Sequence, residues 1–280
     1  MLNKLLKSYS KPFLVTILFF FFFSFYLYLR RGYFDLYIAN KVFGSVPVAT
    51  LALVVMIGPL SRAYQRFDAW ILIRKELGIL AMGMTVIHGI ISLFFLPDRF
   101  QPDYYFTPEH RIPFLFGLFG ILLLMYLFIL SWEYIIKKID KKQWWHIQNW
   151  GIRIAMVAIL LHIILLKYPG WLKWYADGGN AELARPYMLP GSLIAGVLGI
   201  YVVIVRLVDF IGQKALKLVI PICTFMLVAF LLISFYWGYR KTPDALPLSW
   251  DACTKISKSI TTLSYPAICT APDGRSVTKL

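Results

Sequence analysis

The sequence predicts an all-α fold: a polytopic transmembrane helical bundle of about seven spans, followed by a short polar C-terminal tail. Three observations predict it. The 280-residue chain is 59% hydrophobic with a mean hydropathy of +0.68, more apolar surface than a soluble domain of that size can hide. Apolar runs near the roughly 20 residues that cross a bilayer recur at 12–29, 43–60, 77–96, 112–132, 150–166, 190–210 and 217–238. The cations gather at the ends of those runs, where anionic headgroups and the positive-inside rule account for them. The net charge of +15 is therefore read as a membrane signal, and no nucleic-acid partner is expected.

The first run contains five phenylalanines at 19–23 and lacks a small-residue cleavage site before "RRGYFDLY", so it is read as a retained anchor. Residues 1–42 then form an N-terminal anchor helix and outer loop. The second run, with Pro47 and Pro59 near its ends, is the weakest span. Residues 43–210 make up the core and 211–238 the last helix. Within the sixth run Gly191, Ala195 and Gly199 recur every four positions, the pattern of a close helix contact. Residues 239–280 have the composition of a water-exposed tail.

Counting Lys and Arg orients the bundle. The loops at 61–76, 133–149 and 211–216, with Arg206 and Lys217, carry eleven; those at 30–42, 97–111 and 167–189 carry eight over more residues. Lys4, Lys7 and Lys11 join the first face, which is assigned to the cytoplasm. Seven spans then put the N-terminus inside and the tail outside. In an oxidising compartment the tail's Cys253 and Cys269, sixteen residues apart, are expected to form a disulfide, whereas Cys223 is a packing residue within a span.

Two histidines stand in otherwise apolar runs. His88 lies 14 residues past Arg74 and His162 lies 13 past Asn149, so both sit about 20 Å along helices that run from inside to outside. Two imidazoles at matched depth are what a bis-histidine haem b requires, each giving a ring nitrogen to the iron axis. Intramembrane ionisable residues are costly and functional by default. The alternative is that each only bonds a backbone carbonyl or a nearby Ser or Thr. From spacing and depth both readings stand.

The stretch "LVVMIGPLSRAYQRFDAWILIRKELGILAMGMTVIHG" resembles the ferric-reductase-like transmembrane family, especially the haem-binding membrane subunit of the bacterial methionine sulfoxide reductase system. Gly58-Pro59-Leu60 with Arg62 is similar to the family's turn, and Arg74, Lys75, Leu77 and Gly78 to the motif leading to its haem histidine, here His88. "HRIPFLFGLFGILLLMYLFILSW" resembles the next helix and "WWHIQNWGIRIAMVAILLH" the second haem helix, so the likeness covers residues 45–168. It implies a helical core of six spans plus one, carrying electrons across the membrane on haem b, with His88 and His162 as iron ligands. The resemblance also places the protein in a bacterial inner membrane.

The chain departs from that pattern where the family has a further histidine and a tyrosine: here stand Asn149 and Arg153. One haem is therefore expected. His146, a turn before Asn149, is the alternative ligand of a second haem, but beside Trp144 and Trp145 it is read as an interfacial aromatic-belt residue. Arg74 and Arg153 either snorkel to headgroups or bind anions: haem propionates, or a flavin phosphate or reduced quinone from a donor. His110 is read as a solvated loop residue. No Gly-rich dinucleotide fingerprint follows a strand. The expected function is thus an oxidoreductase electron-transfer component, fed by a separate flavin reductase or the quinone pool and delivering to an extracytoplasmic acceptor, a soluble protein among the candidates. The alternative is a non-redox membrane scaffold or transporter whose histidines only pack.

Overall fold

The computed structural model describes residues 2–96, 102–179, 183–241, 250–257, 260–261, 267–272 and 274–279. Residues 97–101 of the expected outer loop, and much of the tail, lie outside the described residues. The fold is a polytopic helical bundle: seven helices are long and apolar enough to cross a membrane. They are α1 (Leu2–Arg31), α2 (Leu36–Ala63), α3 (Arg74–Ile90), α4 (Pro108–Ile129), α5 (Lys141–Asp177), α6 (Gly191–Val208) and α7 (Gln213–Lys241). A π turn at Ile91–Phe95 continues α3.

Helix α2, the run that seemed weakest, is the central one. Of its most apolar stretch 78% is buried, against 22% for α1 and 11% for α7. Its two prolines, Pro47 and Pro59, sit inside a continuous helix and are both buried among its neighbours. Leu51, Val55 and Ile57 of α2 are essentially inaccessible and pack against Leu77, Ala81, Met156 and Val202 of the surrounding helices. Helix α1 closes one flank by packing Phe23 and Leu27 on Ile38, Val42 and Val46.

Two boundaries differ from the hydropathy reading. Helix α2 starts at Leu36, not 43, because Asp35 caps it by accepting a bond from Ile38 N at 2.7 Å. The outer loop thereby shrinks, and Asn40 becomes a helical residue. Helix α5 has 37 residues, about 55 Å, far longer than the expected span 150–166. Asp140 caps its start by accepting from Lys142 N and Gln143 N, and Gly178, at φ +78°, ends it in the left-handed conformation. The flanks "KKQWWHIQN" and "KYPGWLKWYAD" are helical but too polar for a hydropathy window.

Gly191 and Gly199 of α6 meet Leu27 and Leu160, with Ala195 buried between them. Beyond α7, helix α8 (Trp250–Ile256) and the strands β1 (Ile260–Thr261), β2 (Ala267–Thr270) and β3 (Ser276–Lys279) form a small unit; the strands pair antiparallel in the order β1-β2-β3. A disulfide joins Cys253 to Cys269 at its centre, both fully buried, with Ile256, Ala271 and Ala184 around them. Arg275 donates to Leu183 O at 2.8 Å, so the unit is tied to the segment between α5 and α6.

Candidate functional site

His88 sits near the end of α3 and leans on α2. Its Nδ1 is 3.0 Å from the backbone oxygen of Asn40 and 2.8 Å from Asn40 Oδ1. The ring lies against Gly44, where a Cβ would come within 3.1 Å of Cε1. His162, on α5, leans on α4 in the same manner: Nδ1 is 2.8 Å from Pro113 O, and a Cβ at Gly117 would stand 2.8 Å from Nδ1. In both cases a carbonyl four residues before a glycine takes the bond, and the missing side chain lets the ring approach.

A backbone carbonyl only accepts, so Nδ1 carries the proton in both rings and Nε2 carries the lone pair. Neither Nε2 has a hydrogen-bond partner among the described residues. Each histidine thus has the carbonyl bond that a purely packing role calls for, and each keeps one nitrogen unused. The two imidazoles lie close enough to interact electrostatically, and Lys167 acts on both. Helices α3 and α5 nevertheless barely touch: α3 packs on α2, α1 and α4, and α5 on α4 and α6.

At the opposite end of α3 and α5 lies a cleft of ≈ 230 Å³ between α3, α4 and α5. Arg74, Lys75, Gly78, Trp144, Gln148 and Asn149 are among its lining residues, and a Cβ at Gly78 would meet open space. Arg74 Nε donates to Val54 O at 3.2 Å. Arg153 reaches Asn149 Oδ1 at 3.4 Å and lies over the rings of Trp150 and Phe210, at 5.1 and 5.4 Å. Arg62 and Arg206 both pair with Asp209, the latter at 2.9 Å. The four guanidiniums interact electrostatically, and Arg206 Nε and Nη2 and Arg153 Nε are buried without a partner among the described residues. Of these four guanidiniums only Arg62 and Arg206 have a carboxylate, Asp209, in ion-pair distance among the described residues.

The other flagged residues fall as follows. His146 is exposed, 6.2 Å from the Trp150 ring, and does not line the cleft. His110 is not in a solvated loop: it lies in the first turn of α4, stacked on Tyr104 at 3.9 Å and bonded to Thr107 Oγ1 at 2.8 Å. Among the described residues no three of His, Cys, Asp and Glu gather as a metal cage. Sequence reasoning missed Asn40, Gly44, Gly117, Lys167, Arg206 and Asp209. Only Arg206 and Asp209 carried a local signal, an i,i+3 ion pair at the end of an apolar run.

The geometry is that of a helical bundle with two carbonyl-anchored imidazoles toward one end of α3 and α5 and an arginine-lined cleft at the other. Residues 43–159 match the family described as "Ferric reductase like transmembrane component". The matched range contains His88 and ends just before His162. The chain is also similar to the metalloreductase STEAP2 of Mus musculus, 26% identical over 232 residues, covering 68% of this chain. It spans about half, 46%, of that relative's length. These likenesses are to the broad class, and the closer resemblance to the methionine sulfoxide reductase subunit rests on the motifs alone.

Proposed function

We propose that this chain is a haem-b electron-transfer subunit of a membrane, passing electrons from a cytoplasmic or quinone donor to an extracytoplasmic acceptor. The observation that carries the reading is the pair of imidazoles, each held through Nδ1 with Nε2 left over. That is the tautomer and anchoring a metal-bound histidine needs. Haem, when bound, would supply a one-electron couple and would need only two protein ligands, in keeping with the described residues, among which no larger cage gathers. The scant contact between α3 and α5 also fits a flat macrocycle between them.

The residues of the chain then divide the work. His88 and His162 hold the iron, and Lys167 offers a charge partner for a propionate. Asn149 offers no second axial ligand, so one haem is the reading. At the other end Arg74 and Arg153, in and beside the cleft, attract the anionic group of an electron donor, a flavin phosphate or a reduced quinone. The orientation proposed is N-terminus inside and tail outside, in a bacterial inner membrane.

Purified protein should show a Soret band and a sharp reduced α-band of six-coordinate haem. His88→Ala or His162→Ala should abolish the six-coordinate spectrum, and His110→Ala should leave it intact. A normal low-spin spectrum in both single variants sinks the proposal. Protein that never binds haem favours the scaffold or transporter reading.

A further inference from the structure

The anchor of His88 is double, and one half of it is a side chain. Asn40 is 3% exposed and gives His88 Nδ1 two oxygens, its own backbone carbonyl at 3.0 Å and its Oδ1 at 2.8 Å. Its Nδ2 donates to Ser92 Oγ at 2.8 Å. Ser92 sits in the π turn that follows α3, and the backbone oxygen of Ser92 accepts from Tyr105 Oη at 3.1 Å. Among the described residues His162, in contrast, has only the backbone oxygen of Pro113.

The network fixes its own polarity. A backbone carbonyl cannot donate, so the hydrogen facing Asn40 belongs to Nδ1. The atom of the Asn40 amide that faces the ring must then be oxygen, because an NH2 there would meet N–H against N–H. That choice sends Nδ2 to Ser92 Oγ, which has a lone pair to receive it. Every bond in the chain from Ser92 to Nδ1 agrees with one tautomer of His88.

We infer that Asn40 is a positioning residue for His88: its amide, oriented by Ser92, holds the ring and sets how strongly Nε2 donates to a bound iron. The inference rests on the proposed axial role of His88. A stronger acceptor at Nδ1 pushes electron density toward Nε2 and favours the ferric state; a weaker one favours the ferrous state. The two axial ligands are therefore unequal, and only the His88 side is set by a replaceable side chain. Asn40 lies three residues before the stretch that matches the family.

Redox titration of the full-length, haem-loaded protein, with low-spin electron paramagnetic resonance, tests it. Asn40→Asp should lower the midpoint potential and Asn40→Leu should raise it, each changing the ferric-to-ferrous ratio several-fold at a fixed ambient potential. Ser92→Ala, which frees the amide to rotate, should shift the potential in the direction of Asn40→Leu by less, and it serves where an Asn40 variant fails to fold. A role confined to packing would change stability and leave the potential and g-values of the folded fraction alone. Haem-loaded variants with wild-type potential and g-values overturn the inference while leaving the haem proposal standing. Wild-type protein without haem, or with haem not ligated by His88, overturns both.

Discussion

Gly117→Ala probes the His162 anchor most directly. The added Cβ lies 2.8 Å from Nδ1, 3.1 Å from Cε1 and 3.3 Å from Cγ of His162, whereas ordinary contact begins at 3.4 Å. Either the ring retreats by about 0.6 Å or α4 and α5 part by as much. Parting is resisted, because these two helices share the most extensive contact of the bundle, with Gly120 against Ile159 and Gly151 against Leu127. The ring is the softer element. A retreat along the hydrogen bond stretches Nδ1···O of Pro113 from 2.8 Å to about 3.4 Å, beyond the roughly 3.2 Å limit of a sound bond. Overpacking costs about 1–3 kcal/mol and a lost buried bond about 1 kcal/mol more. Gly44→Ala is milder, since its nearest atom, Cε1 of His88, is 3.1 Å away and gives by about 0.3 Å. Thermal unfolding of the detergent-solubilised protein and the low-spin fraction of its haem read both effects. The expected order is wild type, then Gly44→Ala, then Gly117→Ala, on both scales. Wild-type behaviour of Gly117→Ala, or the reverse order, refutes the claim that these glycines exist to admit the rings.

Haem content by pyridine haemochrome should come to about one per chain, because Asn149 cannot ligate iron; a value near two would implicate His146. Asp209→Ala should destabilise the protein by about 3 kcal/mol, since it strands Arg206, whose side chain is only 7% exposed, and pairing it with Arg206→Met should recover most of the loss in a chemical-denaturation series. Cys253 and Cys269 should resist maleimide in intact cells until an impermeant reductant is added; labelling without reductant, and only after the inner membrane is opened, would reverse the topology.

The spans were legible because hydropathy reports removal from water, and a run is uniformly apolar whether lipid or neighbouring helices surround it. Their ends were not, because hydropathy says nothing about a helix that continues beyond the bilayer. Residues 141–149 and 167–177 are helical through an aspartate cap and a left-handed glycine, local signals that were present in the sequence and outweighed by polarity. The centrality of α2 was hidden for a related reason: its prolines argue against a helix in water and carry less weight where neighbours fill the gap. His88 and His162 could be singled out because a lone imidazole in a greasy run is conspicuous. Asn40 could not, since its meaning comes from a residue 48 positions away. The paired cysteines were noticed, but the small sheet around them was not, because two- and four-residue strands carry too few residues for an alternating pattern.

The repetition of one arrangement is what the proposed haem reading of the histidines draws on. A single imidazole bonded to a carbonyl is what burial alone produces. Here the arrangement occurs twice, on α3 against α2 and on α5 against α4, with a glycine four residues beyond each accepting carbonyl. Both rings end in the same protonation pattern, and both leave an acceptor nitrogen without a described protein partner. In the bilayer interior, where water is scarce, such an acceptor costs about 1–3 kcal/mol. A metal that takes both lone pairs offsets it at once, and this is why the haem proposal rests on Nε2, the nitrogen the protein leaves alone.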